Sequence, residues 1–115
     1  MNWLPLVAEE QLTEVSLLSH KSEIKAVILF KHSTRCSTSS MVLDRLERFW
    51  KLSEKEAPAY FLDMIKHRNV SDKIAQLYGI SHESPQILLI KNGKCIYSAS
   101  HSNISAPDIE AVLNS

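Results

Sequence analysis

Cysteine is scarce in this sequence, which limits the disulfides that the protein can form. Only two cysteines occur among the 115 residues, Cys36 and Cys95, and they lie far apart. A disulfide between them would suit a secreted chain, but the N-terminal residues lack the basic start of a secretion signal. We therefore expect two free thiols in a reducing, cytoplasmic environment.

An excess of one charge and long apolar runs are also absent. The 13 basic residues balance 13 acidic ones, so the composition indicates neither nucleic acid nor an anionic membrane surface as a partner. The longest apolar run is far too short to span a bilayer. There is no internal repeat, low-complexity stretch or linker-like change in composition, so we expect residues 1–115 to form a single domain.

The five histidines do not form a metal-binding pattern. They share no ligand spacing, and Cys95 has no cysteine or histidine close to it in the sequence. We therefore predict no metal site.

The sequence does contain a strand, a loop and a helix that meet at a thiol. An apolar run, residues 26–30, leads through a short polar loop to Cys36, and a helical pattern of apolar residues follows at once. The run predicts a buried central strand, and the pattern predicts a helix that ends near residue 52. The N-terminal end of a helix favours an anion, so a thiol placed there ionises more easily, and the thiolate is the reactive form. Cys36 is therefore the leading candidate for function.

The remaining elements alternate between helices and strands. The patterns predict an apolar N-terminal arm, helices over residues 8–19, over 71–78 and after Ser105, and strands over residues 59–62, 86–90 and 94–100. Strands separated by helices pair in parallel through right-handed crossovers, while Asn92-Gly93 predicts an antiparallel hairpin. The expected fold is α/β, with a mixed four-stranded sheet flanked by helices on both faces.

This order of elements, together with one further segment, resembles the thioredoxin fold over essentially the whole chain. Tyr78-Gly79-Ile80, then Ser84-Pro85-Gln86 and Lys91-Asn92-Gly93, are similar to the thioredoxin segment in which a cis-proline precedes the third strand and an Asn-Gly turn follows. The resemblance implies that Pro85 is cis and that its loop lies against Cys36. It also implies that the backbone of Ser84 pairs with a substrate chain.

Within this superfamily the sequence resembles the monothiol bacilliredoxins of the YtxJ type. The residues that carry the likeness are Phe30-Lys31-His32-Ser33-Thr34-Arg35-Cys36 and Ser39, three positions after the cysteine. The family usually has proline directly after the cysteine, where this chain has Ser37. That substitution can loosen the loop and shift the reactivity of the thiol, but it removes no group that the chemistry requires.

The serine at position 39 determines the predicted reaction. Ordinary thioredoxins have a second cysteine there that resolves the mixed disulfide, whereas Cys36 alone forms a mixed disulfide that another thiol must release. The resemblance implies that this small thiol is bacillithiol, as a co-substrate and not a bound cofactor, and that the partners are thiol-capped client proteins. The predicted activity, in the bacterial cytoplasm, is the removal of bacillithiol from S-bacillithiolated proteins.

Groups around Cys36 are predicted to stabilise its thiolate or to bind the small thiol. They are His32, Thr34, Arg35, Ser37, Thr38 and Ser39. The amides of Ser37 and Thr38 and the hydroxyl of Ser39 can donate to the thiolate. Lys31, His32 and Arg35 add positive charge that would attract a carboxylate-bearing thiol, and solvation of the loop is the alternative role of each.

Several alternatives stay open. Cys95, on the predicted edge strand, is either a passive packing residue or a resolving cysteine, and hairpin geometry should hold it far from Cys36. With glutathione in place of bacillithiol, the protein would be a monothiol glutaredoxin-like enzyme, although Ser37-Thr38 differs from the Gly-Phe of the cluster-binding ones. A non-catalytic redox sensor or adaptor would record oxidation at Cys36 without turnover. His101 resembles a family position that can lie close to the active loop.

Overall fold

The structure, a computed structural model, describes residues 1–114. These residues form five strands and four α-helices: β1 (Trp3–Pro5), α1 (Gln11–Ser19), β2 (Val27–His32), α2 (Ser37–Phe49), β3 (Ala59–Asp63), α3 (Arg68–Tyr78), β4 (Gln86–Lys91), β5 (Lys94–Ser100) and α4 (Ala106–Leu113). A short 3₁₀ turn, His101–Asn103, links β5 to α4. None of the helices in this part of the chain is long and apolar enough to cross a membrane.

The strands form one mixed sheet in the order β1-β3-β2-β4-β5. β1 and β2 run parallel to β3, whereas β4 is antiparallel to β2 and β5 is antiparallel to β4. The predicted α/β class is confirmed, but the predicted number of strands is too small by the edge strand β1. This strand has only three residues and includes Pro5, which an edge position tolerates, so no alternating pattern marks it in the sequence.

Two apolar layers lie between the sheet and its helices. α1 and α3 cover one face and α2 and α4 cover the other, and we call these the α1/α3 face and the α2/α4 face. Successive side chains of β2 alternate between them: Val27 and Leu29 join the α1/α3 layer, while Ile28 and Phe30 join the α2/α4 layer. All four are fully buried, which is why the sequence of β2 is apolar on both sides.

Several predicted boundaries shift by less than one helical turn. α1 begins at Gln11 rather than residue 8, α2 ends at Phe49 rather than near residue 52, and α3 begins at Arg68 rather than residue 71. β2 continues through Lys31 and His32, where the sequence predicts a loop. This last difference affects the site most, because it buries two polar side chains at the edge of the sheet from which the loop of Cys36 departs.

The predicted hairpin turn is confirmed. Asn92 and Gly93 both have positive φ, 53° and 75°, as a two-residue hairpin turn requires. Gly79 follows α3 with a φ of 65°, and Ser105 caps α4 by accepting the amide of Asp108. The hairpin returns the end of β5 to the start of β4, beside the loop that connects α3 to β4.

Candidate active site

Cys36 lies at the junction between the loop after β2 and the first turn of α2. It is the N-cap residue, with an extended backbone, and its carbonyl accepts the amides of Ser39 and Ser40 at 3.1 and 3.3 Å. An α-helix leaves its first amides without intrahelical acceptors, so those of Ser37 and Thr38 are directed towards this end. The half-buried thiol is therefore placed where backbone groups can stabilise negative charge.

Ser39 is three residues after Cys36, and its side chain is fully buried. Its hydroxyl oxygen accepts the amide of Ser33 at 3.1 Å and lies 2.7 Å from Nδ1 of His32. The sequence predicts that this hydroxyl donates to the thiolate, but in the structure its partners are His32 and Ser33. Ser39 thus connects the first turn of α2 to the end of β2.

His32 lies on the α2/α4 face among aromatic rings. Its ring centroid is 6.2 Å from that of Phe30 and 5.3 Å from that of Phe61, and only 7% of the residue is exposed. This burial lowers the pKa of His32 below its ordinary value of 6.5, and the carboxylate of Asp63 opposes the shift only in part. His32 is therefore neutral at pH 7 and does not supply the positive charge that the sequence predicts.

Lys31, the residue before His32, is directed to the α1/α3 face. Its side chain is fully buried, and its ammonium group donates to the carbonyl of Ser71 at 3.2 Å and lies 3.3 Å from Nδ1 of His82. Burial lowers the pKa of Lys31 from 10.5 to about 8, although the charge of Asp72 favours the protonated form. The interpretation of Lys31 as a loop cation that attracts a ligand is therefore wrong.

The other predicted site residues lie at the surface. Thr34, Arg35 and Ser37 are exposed, and Thr38 is half-buried. Of the three basic residues that precede Cys36, only Arg35 can therefore meet a ligand in solvent. A preference of the site for anionic ligands would depend on this side chain.

The loop before β4 lies at the same edge of the sheet as the loop of Cys36, because β2 and β4 are neighbouring strands. Its Ser84–Pro85 peptide bond is cis, as the resemblance implies. The amide of His101 donates to the carbonyl of Pro85 at 2.9 Å, and Nε2 of His101 lies 3.1 Å from the carboxylate of Glu83. His101 thus lies against the loop of Pro85, with its side chain exposed at the surface.

The contact of Lys31 with Ser71 and His82, at the base of this loop, could not be predicted from the sequence. The three residues come from β2, from α3 and from the loop itself, and no spacing along the chain links them. A charged residue directly after an apolar strand was the one available signal, and such residues are usually exposed. Only the assembled sheet brings these three side chains together.

Cys95 lies at the other end of the sheet from Cys36. It is paired with Ile90, which is paired with Val27 at the start of β2, whereas Cys36 follows the end of β2. Its thiol donates to the carbonyl of Tyr97 at 3.3 Å, and burial raises its pKa. Within residues 1–114 neither thiol belongs to a group of three or more His, Cys, Asp or Glu side chains that could hold a metal ion.

These features together define a class of protein. A thiol at the start of the helix that follows a central strand, beside a cis-proline loop on the next strand, is the arrangement of thioredoxin-fold thiol oxidoreductases. Among solved structures, the chain is similar to a candidate oxidoreductase with a thioredoxin fold, with 28% identity, a TM-score of 0.77, and 97% of this chain and 93% of that chain covered. Thioredoxins from Malassezia sympodialis (13% identity, TM-score 0.72, 98% and 89% covered) and Fasciola hepatica (13% identity, TM-score 0.70, 96% and 95% covered) share the fold.

A comparison with protein-family models assigns the chain to one family within this class. Residues 5–109 match the sequence model of the family described as monothiol bacilliredoxin BrxC, and the chain belongs to that family. The matched range includes Cys36, Ser39 and the loop of Pro85. The protein is thus a thiol oxidoreductase of the thioredoxin fold.

Proposed function

We propose that this protein is a monothiol disulfide oxidoreductase that removes bacillithiol from S-bacillithiolated proteins. The thiolate of Cys36 attacks the bacillithiol sulfur of the mixed disulfide, and the client cysteine leaves as a thiolate that takes up a proton. Cys36 then carries bacillithiol in a disulfide. A second bacillithiol attacks the bound bacillithiol sulfur, which releases bacillithiol disulfide and restores the thiolate of Cys36.

The observation that carries this proposal is the absence of a thiol partner for Cys36 in its own chain. The position three residues on holds Ser39, whose hydroxyl is engaged with His32. The second cysteine, Cys95, is half-buried and lies at the far end of the sheet. Release of the adduct on Cys36 therefore requires a thiol from solution, which is the definition of a monothiol mechanism.

Some of the surrounding groups would stabilise the thiolate of Cys36, and others would bind the small thiol. The amides of Ser37 and Thr38 would stabilise the thiolate, and the exposed Arg35 and Thr34 would contact the small thiol. His32 and Ser39 would shape the site from inside rather than add charge to it.

The loop before β4 would hold the client. The backbone of Ser84, ahead of the cis Pro85, would pair with the client chain, while the client's cap lies at Cys36. Bacillithiol would act as a co-substrate with no cofactor bound, and the partners would be thiol-capped proteins rather than nucleic acid or membranes. A reducing cytoplasm would keep both cysteines in the free state in which the structure has them.

Mass spectrometry of the pure protein tests the proposal. The protein is exposed to bacillithiol disulfide or to glutathione disulfide, and its release of bacillithiol from a capped single-cysteine client is then followed. We expect a bacillithiol adduct on Cys36 and client release that is lost in Cys36→Ala but kept in Cys95→Ala. Client release with glutathione alone would point to the glutaredoxin-like alternative, and adducts without release would point to a sensor.

A further inference from the structure

A buried charge lies beneath the loop that carries Ser84 and Pro85. The ammonium group of Lys31 is fully buried, and its two hydrogen-bond partners, the carbonyl of Ser71 and Nδ1 of His82, are neutral groups. Burying a charge destabilises a fold; the charge of Asp72 offsets this cost only in part, and an apolar side chain of similar size would avoid it. The stability of the protein therefore does not explain why a lysine occupies this position.

The contact with Lys31 fixes the protonation state of His82. An ammonium group only donates, so Nδ1 of His82 must accept, and the proton of the neutral ring is then on Nε2. The hydroxyl of Ser71 lies 3.0 Å from the same Nδ1. A protonated His82 could not accept and would place a second positive charge beside Lys31. The contact therefore exists only with neutral His82.

His82 connects this buried group to the loop. The next residue, Glu83, contacts His101, and the loop is thus held from below through His82 and from the side through His101. Within the loop, Nε2 of Gln86 donates to the carbonyl of Ser81 at 3.0 Å, whereas Ser84 Oγ and Gln86 Oε1 are buried without a hydrogen-bond partner. The position of Ser84 therefore depends on the contacts of these two histidines as well as on the bond from Gln86.

We propose that Lys31 is a positioning residue for disulfide exchange: it holds His82 and so sets the place at which Ser84 presents its backbone to the substrate chain. The inference rests on the proposed function, in which that backbone pairs with the client. Lys31 lies on the opposite face of the sheet from α2, so its removal should affect the binding of a peptide disulfide and not the thiol itself.

Two single-turnover rates distinguish an effect of a substitution on the loop from an effect on the thiol. In the first reaction, Cys36 attacks the sulfur of a peptide cysteine that carries thionitrobenzoate in a disulfide. Thionitrobenzoate leaves with the electron pair, and its absorbance gives the rate. In the second, iodoacetamide alkylates Cys36 without using the loop. For Lys31→Met we expect the peptide rate to fall about tenfold and the alkylation rate to stay within about twofold. Lys94→Met, exposed at the far end of the sheet, is the matched control and should change neither.

Two substitutions of His82 test whether its hydrogen-bond acceptor is what matters. Asparagine places its amide oxygen where Nδ1 stands, so His82→Asn should keep the peptide rate, whereas His82→Leu should lose it as Lys31→Met does. The pKa of His82 is lowered from 6.5 by burial and by the charges of Lys31 and Arg68, against Asp72 and Glu83. The ratio of peptide to alkylation rate should therefore fall in acid for the wild type, below pH 6.5, and stay level in His82→Asn.

Two outcomes would overturn the proposal. Equal losses of both rates in Lys31→Met would mean that Lys31 acts on the thiol, and unchanged peptide rates in both Lys31→Met and His82→Leu would remove the positioning role. If Lys31→Met does not fold, the comparison of His82→Leu with His82→Asn decides the question. The peptide probe contains no bacillithiol, so a failure to decap clients would contradict the proposed function and leave this comparison intact.

Discussion

The hydroxyl of Ser39 lies 2.7 Å from Nδ1 of His32, at the position where dithiol thioredoxins carry their second cysteine. The amide of Ser33 donates to the same oxygen at 3.1 Å, and in the tautomer of neutral His32 that carries its proton on Nε2, the hydroxyl of Ser39 donates to Nδ1. A base therefore lies next to position 39 although a serine there performs no disulfide chemistry. The site has the layout of a dithiol centre in which an oxygen replaces one sulfur.

Ser39→Cys should therefore convert the protein into a dithiol oxidoreductase. His32 would take the proton of the new thiol, and the resulting thiolate would attack the sulfur of Cys36 in the bacillithiol adduct. Bacillithiol would leave as a thiolate, and a disulfide between Cys36 and the new thiol would remain. Mass spectrometry after exposure to one equivalent of bacillithiol disulfide should show a persistent adduct on the wild type and none on the variant.

Two further variants test whether position and base both matter in this conversion. Ser40→Cys places a thiol on the exposed neighbouring residue, and there the adduct on Cys36 should persist. His32→Phe, combined with Ser39→Cys, keeps an aromatic ring in the stack but removes the base, and should slow the loss of the adduct about tenfold or more. An adduct that persists in Ser39→Cys alone would show that the two side chains do not meet.

The two native thiols should differ widely in reactivity at pH 7. Cys95 is half-buried, donates to the carbonyl of Tyr97, and has a pKa that burial raises, so little of it is thiolate. One equivalent of iodoacetamide should label Cys36 alone, as peptide mapping would show, and Cys95→Ser should retain full decapping activity. Labelling of Cys95 first, or a loss of activity in Cys95→Ser, would give Cys95 a role that its position does not support.

The parts of the fold that depend on local signals are the parts that the sequence predicts. Asn92-Gly93 turns the hairpin, Ser105 caps α4, and each signal acts over a few residues. The family resemblance, which depends on the residues around Cys36, is confirmed by the match over residues 5–109. β1 could not be predicted, because its three residues carry no pattern and its partner β3 is distant in the chain.

The surroundings of the site residues could not be predicted in the same way. Lys31 and His32 look like loop residues, because polar side chains in a sequence usually indicate exposure. Their burial depends on partners from other elements, His82 for Lys31 and Ser39 for His32. Only the assembled sheet determines these partners, so the sequence identifies the thiol and not the buried polar groups on either face behind it.

Arg35 should give the site a moderate preference for anionic disulfides. It is the exposed member of the three basic residues before Cys36, and an exposed charge contributes little and is screened by salt. Arg35→Gln should slow the reaction of Cys36 with a disulfide that carries carboxylates about threefold at low salt, and leave the reaction with neutral hydroxyethyl disulfide unchanged. At about 0.5 M salt the difference should disappear.

The matched control for this measurement is Arg48→Gln. Arg48 is exposed near the other end of α2, where it pairs with Asp44 at 2.7 Å, and it should have no effect on either disulfide. Equal slowing of the charged and the neutral disulfide by Arg35→Gln would instead show that Arg35 supports the shape of the loop.

Lys31 should make the stability of the protein depend on pH above neutrality. Burial brings its pKa to about 8 in the folded protein, against 10.5 for an ordinary lysine. Between these pH values the unfolded chain holds a proton that the folded protein has released. Lys31 therefore raises the free energy of unfolding as the pH rises. The gain is at most on the order of 3 kcal/mol, and below pH 8 the cost of burying the charge is present in full.

The comparison with Lys31→Met isolates this contribution. Tyr60, Tyr78 and Cys95 have raised pKa values, chiefly because of burial, and their titration acts in the opposite direction, but it is common to both proteins. Urea unfolding should show the variant to be the more stable protein at pH 7, with the difference shrinking or reversing towards pH 10. A difference that is independent of pH would mean that the folded protein does not disfavour the ammonium form. A shrinking difference, together with a slower peptide reaction in the same variant, would identify a lysine kept for disulfide exchange at the expense of stability.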